Sequence, residues 1–324
     1  MKEKLGIPYM GSKRKLASEI LSKIVQRHEN ITDFYDLFGG GGSISFTAIR
    51  DYRFNVHYNE LNKHIYSLVE YLKNNKELEP KFYEWVTREE FFNQVGKSNT
   101  DADWYSGFVG TCWSFGNNSE KGYLYGTEIE NIKHIMHDII VNCKSKSLKE
   151  FNKIYKLEIP ESIFLINNIN ERRLSLQKEL SKIYQLTKRV DLDKIGARKN
   201  ITVDNLGRLE NLEKVQNLQN LQNLQTYNAS YKDITILGNN PIIYCDIPYK
   251  GTGEYKEGGF NHEEFYQWFA NLDYPCYLSE YDAPFEKIET FKHRSSLSAT
   301  NNKKKVFESI YWNGKGEINN YKLF

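Results

Sequence analysis

Ile31-Thr32-Asp33-Phe34-Tyr35-Asp36-Leu37-Phe38-Gly39-Gly40-Gly41-Gly42-Ser43 is the stretch that decides the fold. Ile31 to Phe38 is rich in β-formers, and the glycines that follow let a backbone turn sharply. Ser43 to Tyr52 then carries Ile44, Phe46, Ala48 and Ile49 in a helical apolar pattern. The reading is strand, glycine loop, helix. Phe54 to Tyr58 predicts a second strand, and Asn62 to Lys73, with Ile65, Leu68, Val69 and Leu72 on one face, predicts the helix returning from it. A βαβα order of this kind builds a parallel sheet.

Further along, Pro241 to Cys245 reads as a strand that delivers Asp246, and His262 to Leu272 as an amphipathic helix. Tyr277 to Tyr281 and Val306 to Trp312 complete the sheet, the latter pairing with Tyr321 to Phe324 in an antiparallel edge hairpin. Between the two halves, from Lys76 to Asp191, the pattern is irregular and helix-leaning, with an aromatic, glycine-containing stretch from Trp104 through Trp113-Ser114-Phe115-Gly116-Asn117-Asn118 to Tyr125-Gly126. The expected organisation is a catalytic domain over 1–75 and 226–324, with an inserted region over 76–225. Within that insertion, over 206–225, Leu209, Leu212, Val215, Leu218, Leu221 and Leu224 recur every third residue. Because a three-residue step turns an α-helix by about 300°, such a stripe spirals, and a three-sided coil or a packed loop is expected instead.

The chain has 324 residues, 40% hydrophobic and 27% charged, enough for one domain and a substantial insertion. Without an apolar run long enough to span a bilayer or a hydrophobic signal region, the expected location is cytoplasmic. Cys112, Cys143, Cys245 and Cys276 lack the paired spacing of a zinc site or disulfide framework, so reduced cysteines and no metal are expected. Forty-four basic residues nearly balance 42 acidic ones, leaving local clusters as the candidates for phosphate contact: Lys13-Arg14-Lys15, Arg172-Arg173 and Lys303-Lys304-Lys305.

Two elements carry chemistry. Glycines at a strand-to-helix junction let a ligand approach the backbone, and Glu60 follows the second strand about 20 residues further on, where Rossmann-like folds bind a ribose. An adenosine-containing cofactor follows, either NAD or S-adenosylmethionine. Tyr244-Cys245-Asp246-Ile247-Pro248-Tyr249 decides between them. An exocyclic adenine amine is a poor nucleophile, because its lone pair is delocalised into the ring. Two acceptors aimed at its hydrogens draw that pair back. Asp246 at a strand end is one candidate, and the carbonyl of Ile247, held by the rigid Pro248, is the other. Tyr249 offers a flat face for a flipped-out base.

These residues resemble the Dam-type DNA adenine methyltransferases, including the divergent members common in phages and prophages. Asp246 to Tyr249 matches the family's catalytic Asp-Pro-Pro-Tyr, with Ile247 in place of the first proline. Asp36, Phe38, Gly39 and Gly41 fall in a segment similar to the cofactor loop, and Glu60 takes the place of the ribose-binding acid. Pro8-Tyr9-Met10-Gly11-Ser12-Lys13 is similar to the N-terminal aromatic-x-Gly-x-Lys element, which implies Tyr9 against the cofactor and Lys13 near cofactor and DNA. Ser230-Tyr231 resembles the polar-aromatic pair that flanks the cofactor's adenine. The resemblance implies a Rossmann-like class I S-adenosylmethionine-dependent α/β sheet with a mostly helical inserted target-recognition domain. It also implies a monomer that methylates the N6 amine of an adenine flipped from double-stranded DNA, and a phage-type role in protecting a genome.

Asn117, Asn118 and Lys121 are the candidate DNA contacts in the insertion, since amides suit base edges and amines suit phosphates. Three other readings stand beside this one. The same fold serves cytosine N4 or RNA adenine; a DNA-binding protein with a degenerate site is motivated by Ile247; a nicotinamide oxidoreductase leaves Asp246 to Tyr249 unexplained. Pro275-Cys276 resembles a cytosine-methylating nucleophile, but Cys276 opens a strand-like run rather than a loop.

Overall fold

The computed structural model describes residues 3–198, 203–250, 259–294 and 305–316. The chain divides into two compact units. The first holds Met1–Gly6, Gly11–Asn74 and Asn217–Phe324, and the second Ile7–Met10 with Asn75–Gln216.

The first unit is built on a seven-stranded sheet. Its strands are β1 (Asp33–Asp36), β2 (Asn55–Asn59), β3 (Gln225–Tyr227), β4 (Pro241–Cys245), β5 (Cys276–Glu280), β6 (Glu286–Arg294) and β7 (Lys305–Trp312), in the order β3-β2-β1-β4-β5-β7-β6. The first five in that order run parallel, and β7 is antiparallel to both β5 and β6. The α/β expectation therefore holds. The edge hairpin departs from expectation: β7 pairs with β6, a strand the sequence pattern did not reveal, and Tyr321 to Phe324 lie outside the described residues.

Helices α1 (Ala17–Val25), α2 (Ser43–Asp51) and α3 (Lys63–Asn74) belong to this unit. Alternation along the strands gives each face its own core. Tyr35 and Leu37 of the β1 segment, Ile243, Cys245 and Ile247 around β4, and Cys276 and Leu278 of β5 form one apolar row. Phe265 and Phe269 of a further helix, His262–Asn271, cover that row. The opposite face carries Asp36, Tyr244, Ser279 and Glu308, all nearly inaccessible to solvent. Cys245 and Cys276 are free thiols whose sulfurs lie 3.9 Å apart in this core, so Cys276 is a packing residue rather than a loop nucleophile.

The second unit is helical: α4 (Arg88–Val95), α5 (Trp104–Cys112), α6 (Thr127–Ile140), α7 (Ser145–Tyr155), α8 (Ile169–Thr187), α9 (Val190–Lys194) and α10 (Asp204–Gln216); the helix His262–Asn271 of the first unit is α11. Helix α10 corrects the reading of the leucine triplets as a coil or loop. Leu206, Leu209, Leu212 and Val215 are all buried on it. Each three-residue step falls about 60° short of a full turn, so four such positions spread over half the helix surface. That wide stripe is accommodated because α10 packs against both α5 and α8. Leu221 and Leu224 lie past the helix end and are buried in the first unit.

Arg172 and Arg173 are also placed differently from expectation. Arg172 donates to the carbonyls of Ile140, Ile166 and Asn167, and Arg173 faces Glu210, so both are buried rather than presented to phosphates. The aromatics Trp113, Tyr123 and Tyr125 of this unit are core. Replacing the fully buried Leu212 by Ala is expected to cost about 2–5 kcal/mol of stability in urea unfolding. Ala at the exposed Leu186 is expected to cost no more than about 0.5 kcal/mol, and equal costs would contradict the helical packing.

Candidate active site

Between β1 and β4 the strand order reverses: β1 leads to β2 on one side, and β4 leads to β5 on the other. Connections that diverge from neighbouring strands leave a crevice at their carboxyl ends. Asp36 lies level with Tyr244, so the chain emerging there is the glycine turn on one strand and Asp246 on the other.

The glycine turn is tight for steric reasons. A Cβ on Gly39 would lie 2.1 Å from the ring of Tyr58, and one on Gly42 2.3 Å from the ring of Phe46. Gly42 also sits at φ +69° as it caps α2. The Gly40 N–H donates to Glu60 Oε2 at 2.7 Å, and the Asn62 N–H to Oε1 at 2.7 Å. Each oxygen of Glu60 thus keeps further acceptor capacity, as a ribose diol requires. Gly41 is buried in the same turn. Asp36 lies beneath it and accepts from the Ser45 hydroxyl at 2.7 Å. Burial pushes its carboxyl up to about 7; Ser45 opposes that rise, and the charge of Asp246 adds to it.

Asn59 joins three chain segments here. Its amide donates to the carbonyls of Leu37 and Ala229 and accepts from the Ala229 N–H. Ser230-Tyr231 is thereby placed beside the glycine turn. Ring centroids put Phe38 5.3 Å from Tyr231, 5.8 Å from Phe260 and 5.7 Å from Phe265. Such an aromatic group suits the flat face of a nucleobase.

At the end of β4, Asp246 Oδ2 pairs with Lys13 Nζ at 2.8 Å, and the same ammonium lies 3.4 Å from Glu308 Oε1 on β7. Lys13 also stands 4.8 Å from the centroid of the Tyr249 ring, which packs edge-on against Tyr281. Burial raises the Asp246 carboxyl, Lys13 opposes the rise, Glu308 adds to it, and the balance leaves the group at about 6. For Lys13 the two carboxylates outweigh desolvation and keep it protonated. Asp246 Oδ1 is buried, and the Tyr249 hydroxyl stands beside the same carboxylate as a hydrogen-bond donor that lowers its pKa. A carboxylate fixed by a cation at the carboxyl end of a strand is a hydrogen-bond acceptor suited to an amine donor. Among the described residues no metal-binding cluster of histidine, cysteine and carboxylate occurs.

A model of the D12 class N6 adenine-specific DNA methyltransferases matches residues 9–313. The chain belongs to that family. It is therefore an adenine-N6 DNA methyltransferase with the class I methyltransferase fold, and its activity is an enzyme's. No curated protein matches the chain. No described helix is long and apolar enough to cross a membrane.

Of the residues singled out in the sequence, Lys13, Asp36, Asp246, Pro248 and Tyr249 lie with Glu60, Phe38, Gly39, Gly41, Ser230 and Tyr231 in the first unit of the methyltransferase. Tyr9, Asn117, Asn118 and Lys121 belong to the second. There Asn118 donates to the Met10 sulfur at 3.4 Å and accepts from the Glu120 N–H, while Lys121 is exposed. Sequence reasoning missed Asn59, Glu308 and the aromatic partner Phe260. Glu308 had a signal: it falls in phase with the apolar Ile310 and Trp312 of the same strand, on a face where a carboxylate needs a partner.

Gly39→Ala is expected to lower stability by roughly 1–3 kcal/mol, because overpacking must displace a ring that is itself held. The Tyr58 hydroxyl donates to the Gly40 carbonyl at 2.7 Å and its side chain is fully buried. A denaturant midpoint equal to that of the parent protein would contradict this packing.

Proposed function

We propose that the methyl donor is S-adenosylmethionine and that Asp246 and the Ile247 carbonyl accept the two amine hydrogens of an adenine flipped from double-stranded DNA. The observation that supports this reading is a buried carboxylate, Asp246, placed just past the end of β4 with its Oδ2 fixed by Lys13 and the Tyr249 ring beside it. Glu60, Gly39 to Gly41, Phe38, Ser230 and Tyr231 fit the nucleoside part of such a donor, and Tyr9 is assigned to the same ligand. When bound, the donor supplies an electrophilic methyl group on a sulfonium.

The two acceptors localise the lone pair on the amine nitrogen. The N–C bond forms as the C–S bond breaks, and one amine proton leaves through the hydrogen bond to Asp246, giving N6-methyladenine. Tyr249 supplies the stacking face, worth about 1–3 kcal/mol per base in single-stranded complexes. Lys13 keeps Asp246 ionised and aimed. Asn117, Asn118 and Lys121 are assigned to DNA, and a monomer is the expected working form.

Protonating Asp246 removes an acceptor, so kcat is expected to fall as pH drops through about 6. Glu308→Gln removes a negative charge that raises this carboxyl, and the acidic limb of the kcat profile should move to lower pH. A limb that stays in place would exclude Asp246 as the titrating group. Expression in a host without DNA methylation, followed by sequencing that detects modified bases, tests the reaction itself. N6-methyladenine in a short recurring motif is the expected result; unmodified DNA from folded protein would overturn the reading.

A further inference from the structure

In this chain the acceptor carbonyl belongs to Ile247, where the family's motif has a proline, so φ at that position is not fixed by a ring. Three contacts replace that constraint. The Ile247 side chain is 2% exposed and packs into the apolar row with Leu37, Cys245 and Phe265. His262, the first residue of α11, places Nε2 2.8 Å from the Pro248 carbonyl oxygen, so the ring N–H donates to it. Glu280, 1% exposed at the end of β5, accepts from the Lys250 N–H at 3.2 Å and the Tyr281 N–H at 2.7 Å.

We infer that His262 is a positioning residue for methyl transfer: by holding the Pro248 carbonyl it fixes the direction of the Ile247 carbonyl. Peptide groups are planar, so the orientation of one relative to the next depends on the φ and ψ of the residue between them. Pro248 lies between the peptide that carries the Ile247 oxygen and the peptide that carries its own. Its ring sets φ, and the bond from His262 sets ψ. With both fixed, the Ile247 oxygen can no longer swing away from the amine. Glu280 holds the far end of the same turn at Lys250, so the segment from Asp246 to Lys250 is secured on both sides. His262 itself is only half-buried, and Phe260 and Tyr266 pack against its ring edge-on.

This inference rests on the proposed role of the Ile247 carbonyl. His262→Ala is expected to lower kcat about tenfold, the scale of one hydrogen bond, with KM for S-adenosylmethionine changed less than about twofold. His262→Gln, whose side-chain amide can donate to the same carbonyl, should recover most of the loss. Hydrogen exchange gives a readout apart from activity: the amides of Tyr249 and Lys250 should exchange faster in His262→Ala than in His262→Gln. In an Ile247→Pro background, where a ring again fixes the preceding φ, the same alanine substitution should cost less than in the parent. Unchanged kcat and exchange in His262→Ala would overturn the inference, as would equal losses for Ala and Gln. Full activity in Asp246→Ala would instead overturn the underlying reading, so the two fail separately.

Discussion

A carboxylate held beneath a protein surface stays charged only beside a cation, and here that cation is Lys13, set between Asp246 and Glu308. The arrangement leaves one net negative charge shared by three groups. That is why burial raises Asp246 only to about 6 rather than extinguishing it as an acceptor near neutral pH. It also explains the position of Glu308 on a buried strand face: without it Lys13 would be drawn wholly onto Asp246, and without Lys13 the two carboxylates would face each other unscreened. Around this pair of contacts the sheet places the rest. Strand β4 ends one residue before Asp246, β7 brings Glu308, and the segment before α1 supplies Lys13.

The topology assigns each side of the crevice its own task. On the β1 and β2 side, glycines that admit no Cβ, Glu60 spanning the turn, and Asn59 stapling the segment before Tyr231 make a rigid turn. On the β4 and β5 side, the turn from Asp246 to Lys250 is fastened by Ile247 packing, His262 and Glu280. At position 247 no ring fixes φ; the burial of the Ile247 side chain and the His262 bond at Pro248 restrain the turn instead.

Local signals were legible in the sequence, and pairings across the chain were not. The glycine turn announced itself because Gly40 and Gly42 need positive φ and Gly39 has no room for a side chain, demands that only glycine meets. Strand β4 was readable to the residue as an apolar run ended by Asp246. By contrast, β6 (Glu286–Arg294) holds only Ile288 and Phe291 as apolar residues, three apart, so it shows no alternation and its strand identity comes from pairing with β7 at the sheet edge. His262 was invisible as a site residue because it matters only through the Pro248 carbonyl, and the in-phase carboxylate of Glu308 named no partner in the sequence, since Lys13 lies at the other end of the chain. The leucine triplets misled because their period was tested against a narrow helical stripe, whereas α10 is covered on two sides.

The most direct measurement is mass spectrometry of nucleosides from DNA treated with the parent protein and with Asp246→Asn, each shown to be folded. The account predicts N6-methyldeoxyadenosine from the parent and at least about 100-fold less from the variant, the scale on which loss of one preorganised hydrogen-bonding group lowers turnover. Equal product from both proteins would contradict it, since the amine would then be activated by something other than the carboxylate that Lys13 and Glu308 hold in place.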